Sequence, residues 1–505
     1  MNNNQLNKNK TNKLFWICFI AMAATAFAFV IRNLIIGDLG REFDLSETQK
    51  GELIGVGLWP FGLSILIFSL IADKIGYKTS MIFALICHLV SISLTIFAQG
   101  YWNLYFATFL ISFGNGIVEA VVNPVIATIF NKEKTKWLNI MHAGWPLGLV
   151  VGGLLVILAL GPEMNWRWKA SLIYIPTMIY GLMLLKSKFP LQERVKASIP
   201  YKTMLKEAGI IGISLIVIFI IAETGRAFQI PHAWQIIIGI SIIIPYSIYV
   251  KSMGKILLII LLFVIIPVAT TELVIDSWIS ELIEPSMKQI GLQAGWIIVY
   301  SAGIVFILRL FAGPIVHKLK PLGLLALCSV LAIIGLLALS SAAGLWIFVA
   351  ATIFGLGKTF FWPTMIGVVS EQFPKGGALT TNLVSAVGMM TAGVLGAAFI
   401  GSIQDKAVEQ NLTAQKPIIS AKVITLEKVS IFGNYKTLDS KKLNELQENE
   451  RIDVAEVISK AKKSALAQAA ILPAIMLIFY LGLIVYFKMK GGYKPVELSM
   501  ETEKT

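Results

Sequence analysis

The sequence predicts an all-α protein that crosses a membrane about fourteen times, and three observations predict it. Of its 505 residues, 56% are hydrophobic and only 14% are charged, whereas soluble domains carry about 25% charged residues. Apolar runs near the twenty or so residues needed to cross a bilayer follow one another along most of the chain. The lysines and arginines of the short connections fall on alternate loops, as the positive-inside asymmetry requires. The net charge of +14 is therefore read as membrane topology rather than nucleic-acid binding. Cys18, Cys87 and Cys328 all lie in apolar runs, without the spacing of a disulfide framework or a zinc site.

Taken in order, the first apolar run, 14–36, follows the polar stretch MNNNQLNKNKTNK and imitates a signal peptide, with Ala21, Ala23, Ala24 and Ala26 placed like a cleavage site. It is longer than the roughly 7–15 residues of a signal core, so it reads as the first span. Runs at 51–72, 80–99, 102–130, 137–160 and 168–185 complete an N-terminal six-helix bundle over 1–185. A basic, Pro-containing linker occupies 186–207, and an extra helix pair is expected within 208–255, its first run interrupted by Glu223 and Arg226. Runs at 256–279, 292–316, 321–340, 345–369 and 377–401 supply five helices of a second bundle over 256–401. The polar, mixed-charge segment 402–465 reads as a small outer cap or flexible loop. The last span is expected at 466–488, before a tail of residues 489–505. With both termini in the cytoplasm, the inner loops hold most of the short-loop basic residues, among them Lys74, Lys78, Lys132, Lys134 and Lys136. A bacterial inner-membrane location and a monomer are expected.

Within the fourth run, Asn115, Glu119 and Asn123 recur every four residues and so share one helix face. An ionised carboxylate at the bilayer centre costs roughly 2.5–3.5 kcal/mol on insertion scales, so Glu119 is expected to meet a partner or a wet cavity. Transporters built from duplicated halves hold their substrate between the halves, and this chain carries two such echoes. Glu119 precedes Pro124, and Lys358 precedes Pro363, by the same five residues. The pair is expected to face each other across a central cavity, either as a static ion pair or as one that ligand and proton can break. Arg32 reads as a counter-ion to an acid such as Glu119 or as a residue snorkelling to the outer interface. Glu272 and Asp276 are spaced i, i+4, and Asn139 and His142 share a face of the fifth helix near Trp145. Planar amides and aromatic faces suit a sugar, which nominates Asn33, Asn123, Asn139, Asn382, Trp278 and Trp362.

The second echo is a pair of inner loops. Asp73-Lys74-Ile75-Gly76-Tyr77-Lys78 resembles the cytoplasmic signature of the major facilitator superfamily, with Ser69 in place of the leading glycine. The copy around Gly313 and Lys318 has His317 where the acid would stand. Such loops latch the halves, so Asp73, Lys74, Gly76, Lys78, Gly313 and His317 are assigned to gating, with Arg309 close to the same inner loop. Glu119-Ala-Val-Val-Asn123-Pro124 and Leu138-Asn139, with Thr271-Glu272 and Trp362-Pro363-Thr364, further resemble the fucose–proton symporter family of sugar permeases. That resemblance implies the major facilitator fold, hexose-class uptake coupled to H+ or Na+, and Glu119 in the position of the family's protonatable glutamate. The chain departs from the family at Asn33, where the resemblance places a second, titratable aspartate. Multidrug or metabolite export is the alternative within transport, and a membrane-embedded sensor the alternative outside it. Phosphate loops, metal-ligand spacings and nucleophile constellations are absent from the sequence, so neither an enzyme nor a cofactor is expected.

Overall fold

Apolar residues on every side of a long run leave the backbone no hydrogen-bond partner but itself, so each run closes into a helix. A computed structural model describes residues 3–45, 47–160, 164–275, 279, 287, 291, 296–430 and 433–498. Among the described residues, thirteen helices are long and apolar enough to cross a membrane. A fourteenth is formed by Trp296–Leu310 and Ala312–Leu319, bent by 69°. Spans 1 to 6 are Asn9–Glu42, Glu52–Ile75, Tyr77–Ile96, Tyr101–Ile129, Lys134–Leu158 and Trp166–Leu185. Spans 7 and 8 are Tyr201–Ala227 and His232–Val250, span 9 is Ile256–Val274, and the bent pair is span 10. Spans 11 to 14 are Pro321–Ser341, Trp346–Gln372, Pro374–Gln415 and Glu448–Met489.

The extra pair explains its own irregularities. Glu223 and Arg226, which interrupt the apolar run, form an ion pair of 2.6 Å one helical turn apart, and span 7 continues through them. Gly209 breaks span 7 lower down, at φ 67°, where a Cβ would lie 2.1 Å from the backbone nitrogen of Gly254. Only glycine fits that close approach and that left-handed backbone. Span 8 buries little beyond Val250 and leaves a row of isoleucines outward, as a lipid-facing helix does.

The segment expected as an outer cap or loop is a folded extension. Spans 13 and 14 run on to Gln415 and start at Glu448, and between them lie a short helix Pro417–Val423 and an antiparallel hairpin, Leu426–Ser430 with Gly433–Thr437. Leu412, Ile419, Val423, Ile424, Val454 and Val457 give this extension a small core of its own. The rest of the protein shares one continuous apolar core that crosses between the bundles.

Several helices depart from α geometry away from the basic loops. Five- or six-residue π turns occur at Leu155–Leu160, Thr270–Val274 and Ala392–Gly396. Span 2 is interrupted at Val56–Leu58, where Pro60 removes the N–H that would have bonded the Val56 carbonyl. Such breaks are tolerated at membrane depth only where neighbouring protein covers them.

Candidate functional site

Span 4 stays helical straight through Pro124 and buries Asn115, Glu119 and Asn123. Span 12 is interrupted: one helix ends at Lys358 and the next begins at Phe361. That difference corrects the expected pairing of Glu119 with Lys358. Equal spacing from two prolines gives equal direction only if both helices are continuous, and the break turns Trp362 toward Glu119. The indole Nε1 of Trp362 donates to Glu119 Oε1 at 3.0 Å, across the interface between the halves. Lys358 Nζ lies 5.7 Å from the Phe354 ring centroid and borders a cavity with Glu272 and Arg309.

Glu272, in the π turn of span 9, accepts from two directions. Its Oε2 takes the Trp362 backbone N–H at 2.9 Å, and its Oε1 takes Arg309 at 2.7 Å. Arg309, assigned from sequence to the inner gate, belongs instead to the buried centre. The bend after Leu310 diverts residues 312–319 toward the loop and leaves Arg309 behind, 3% exposed. Its Nε donates to the Thr359 carbonyl at 2.7 Å, and one terminal nitrogen donates to the His142 carbonyl at 3.0 Å. The chain Glu119–Trp362–Glu272–Arg309–His142 therefore passes from one half to the other and back.

Glu119, His142, Glu272, Arg309 and Trp362 line one small cavity with Met22, Phe61, Trp145, Leu273 and Met389. An adjoining small cavity shares Trp145, Glu272, Leu273 and Arg309 and adds Lys358. A few converging polar groups in an apolar, aromatic wall are the usual composition of a small-molecule pocket. Trp145 lines both cavities, and its place three residues after His142 is the signal in the sequence that points to it.

The nominated asparagines lie elsewhere. Asn123, Asn139 and Asn382 are each 0% exposed and hold the halves together in this arrangement. Asn382 donates to the Ala120 carbonyl at 2.7 Å, Asn139 to Thr364 Oγ1 at 3.1 Å and Asn123 to Asn382 Oδ1 at 3.5 Å, while Asn123 Oδ1 meets His142 Nε2 of its own half at 2.9 Å. Asn33 borders neither central cavity, and its Oδ1 has no hydrogen-bond partner among the described residues. Arg32 is neither a counter-ion to Glu119 nor a snorkelling residue: its guanidinium turns into the N-terminal bundle, against Phe29 and Gly57. Asp276 and Trp278 lie outside the described residues.

On the basic face the halves are latched. Glu133 accepts from His317 at 2.9 Å and from Lys136 at 2.9 Å, while Gly313 lies against the Lys136 side chain. Glu371 Oε1 accepts both the backbone N–H (3.1 Å) and the hydroxyl (2.5 Å) of Thr135, at the first turn of span 5. A carboxylate there also meets the positive end of the helix dipole. The other oxygen of Glu371 accepts from Tyr493 of the tail at 2.6 Å. The signature loop acts through the linker rather than by touching the second half directly. Asp73 pairs with Arg194, Lys78 donates to the Leu185 carbonyl at 2.9 Å, and Lys74 sits 4.9 Å from the Tyr201 ring. Gly76, at φ 85°, makes the tight turn between spans 2 and 3. Glu371 was missed in the sequence, yet it stands eight residues past Pro363, nearly where Glu133 stands past Pro124.

This arrangement of two bundles around a polar centre is matched by sequence over most of the chain. Residues 17–402 match the Major Facilitator Superfamily. The chain belongs to that superfamily. As a member it is a multi-pass membrane protein. Among solved structures, the E. coli fucose:proton symporter FucP is similar with a TM-score of 0.53 at 14% identity, over 92% of this chain and 99% of that one. The proton:xylose symporter XylE gives a TM-score of 0.59 at 12% identity, over 93% and 96%. Among relatives, a TsgA homolog of Buchnera aphidicola is 22% identical over 46% of this chain and 60% of its own length. A gentisate transporter of Corynebacterium glutamicum is 20% identical over 34% of this chain and 39% of its own. The chain thus spans between two fifths and three fifths of the length of these relatives, and at such identities the solved structures speak for the fold.

Proposed function

We propose that this protein takes up a monosaccharide-class solute together with a proton or sodium ion, by alternating access between the two sides of a bacterial cytoplasmic membrane. The observation that carries the reading is the hydrogen bond from Trp362 to Glu119, which joins a buried carboxylate of one half to an aromatic wall of the other beside a cavity. Trp362, Trp145 and Phe61 offer flat faces for the C–H surfaces of a sugar, and Glu119, Glu272, Arg309 and His142 offer hydroxyl partners. Protonating Glu119 removes a charge that is expensive inside a bilayer. It also changes what the carboxyl offers a hydroxyl, from acceptor only to donor and acceptor. Occupancy of the cavity and of Glu119 are thereby coupled, and both bear on contacts that hold the halves together. Lys358, beside Glu272 and Arg309, is assigned to tuning that ion pair. The positive-inside pattern supports cytoplasmic termini, and the fold similarity to two proton:sugar symporters agrees with the substrate class.

Uptake of radiolabelled pentoses and hexoses into energised vesicles, in sodium and sodium-free buffers, tests this. Glu119→Gln is expected to abolish gradient-driven accumulation while sugar exchange at equal pH survives, because glutamine still accepts from Trp362 but cannot titrate. Accumulation undiminished in the glutamine variant would remove Glu119 from coupling. Outward movement of dyes or aromatic acids without any sugar uptake would favour the exporter reading.

A further inference from the structure

Among the described residues, none balances the charge of Arg32. It lies in span 1, ten residues before the end at Glu42, and its Nε and one terminal nitrogen are sealed from solvent without a hydrogen-bond partner. The acids near that end of the bundle are engaged elsewhere. Asp38 pairs with Arg41 and, at 3.4 Å, with Lys169; Glu42 pairs with Arg167 at 2.7 Å; and Glu52 accepts from Tyr101 at 2.5 Å. The guanidinium is laid over Gly57, in the unwound turn of span 2, so closely that a Cβ there would fall 2.2 Å from it. Phe29 covers it, with its ring centroid 5.5 Å from the guanidinium carbon.

Arg32 also borders a small cavity inside the N-terminal bundle, whose lining shares no residue with the two central ones. Aliphatic side chains of spans 1, 2, 4 and 6 make most of its wall, and the other polar groups are Thr95 and Thr108. The Thr95 hydroxyl already donates to the Ser91 carbonyl at 2.9 Å. The Thr108 side chain lines the cavity from span 4. An unpaired guanidinium in such surroundings is costly, and a fixed cation beside a hydroxyl is a donor set suited to an anion. One fixed positive charge behind walls this apolar balances one negative charge, so a singly charged ion suits the cavity better than a phosphate, whose second charge would stay buried and unmatched.

We propose that the cavity between Arg32 and Thr108 binds a small monovalent anion, a halide or a short carboxylate, which neutralises the first helix beside the break in span 2. The site is independent of the sugar cavity and of Glu119.

The test uses the purified full-length protein in gluconate buffer at constant ionic strength, titrated with chloride, bromide or formate while its melting temperature is followed. The wild type is expected to melt several degrees higher, saturably, with at least one of the three ions. A larger halide response assigns the site to an inorganic ion, and a larger formate response assigns it to a carboxylate. Arg32→Met is expected to lose the response and to melt no lower than the anion-free wild type. Thr108→Val should raise the half-saturating concentration several-fold. Failure of all three ions to shift the wild type, or an undiminished response in Arg32→Met, would overturn the proposal. Anomalous scattering from bromide-soaked wild-type crystals reads the same point without a variant: a peak beside Arg32 supports it, and bromide only at the surface refutes it.

Discussion

Arg309 ties three helices together with one guanidinium group, reaching Glu272 on span 9, the His142 carbonyl on span 5 and the Thr359 carbonyl at the break in span 12. Its planar fork can face three acceptors at once, which a lysine in its place could not. Removing one member of a buried ion pair leaves the other charged and unmatched, at a cost of about 3–5 kcal/mol. Arg309→Met is therefore expected to destabilise the protein by that order, and Glu272→Met/Arg309→Met to recover most of the loss. Thermal unfolding of the two single variants and the double variant in detergent measures the coupling. Losses that simply add would mean the two side chains act independently.

At the scale of the element, the breaks in the helices matter more than their lengths. Glu272 sits in a π turn, Trp362 just past an interruption, and Arg309 just before a 69° bend. Each irregularity re-aims a polar side chain that regular geometry would have sent elsewhere, and π turns recur at functional sites for that reason. Span 7 shows the same device in a structural role, at Gly209. Alanine there would face both a positive φ and a backbone nitrogen 2.1 Å from its Cβ. Gly209→Ala is expected to cost at least about 1–3 kcal/mol, read as a lower melting temperature. Melting unchanged from the wild type would show that span 7 does not depend on that close packing against Gly254.

Across the whole molecule, the described hydrogen bonds and ion pairs between the halves fall in two layers, the buried centre and the latch on the basic face. Glutamine at 371 can accept on one side only, so it cannot serve Thr135 and Tyr493 as the carboxylate does. Glu371→Gln is expected to loosen the latch. Spin labels placed at the exposed Lys132 and Lys318 should then show a distance distribution shifted to longer values, and an unshifted one would take Glu371 out of gating. The latch also responds to pH through Glu133, whose carboxyl is held below its ordinary value of 4.5 chiefly by the hydrogen bond from Lys136 and secondarily by that from His317, with partial burial opposing. A lowered folded pKa gives stability that is present above the ordinary glutamate value and is lost as pH falls through the folded value. The difference in melting temperature between wild type and Glu133→Gln should accordingly persist at neutral pH and shrink below about 4.5. A constant difference down to pH 3 would contradict that.

The sequence by itself determined the helices, because they follow from terms that act locally. Twenty apolar residues bury their backbone by coiling wherever the rest of the chain goes. It also picked out Glu119, His142, Glu272, Trp362 and Lys358, since a polar side chain in an apolar run is conspicuous without any structure. Only the tertiary structure decided who faces whom. It gave Glu119 to Trp362 and Arg309 to Glu272, turned Asn123, Asn139 and Asn382 into contacts between the halves, and left Arg32 facing an interior cavity. The physical reason is rotational: a single break or π turn swings every later side chain around the helix axis. Where those breaks fall depends on which neighbour can take up the freed carbonyls, and that is settled only when the helices pack.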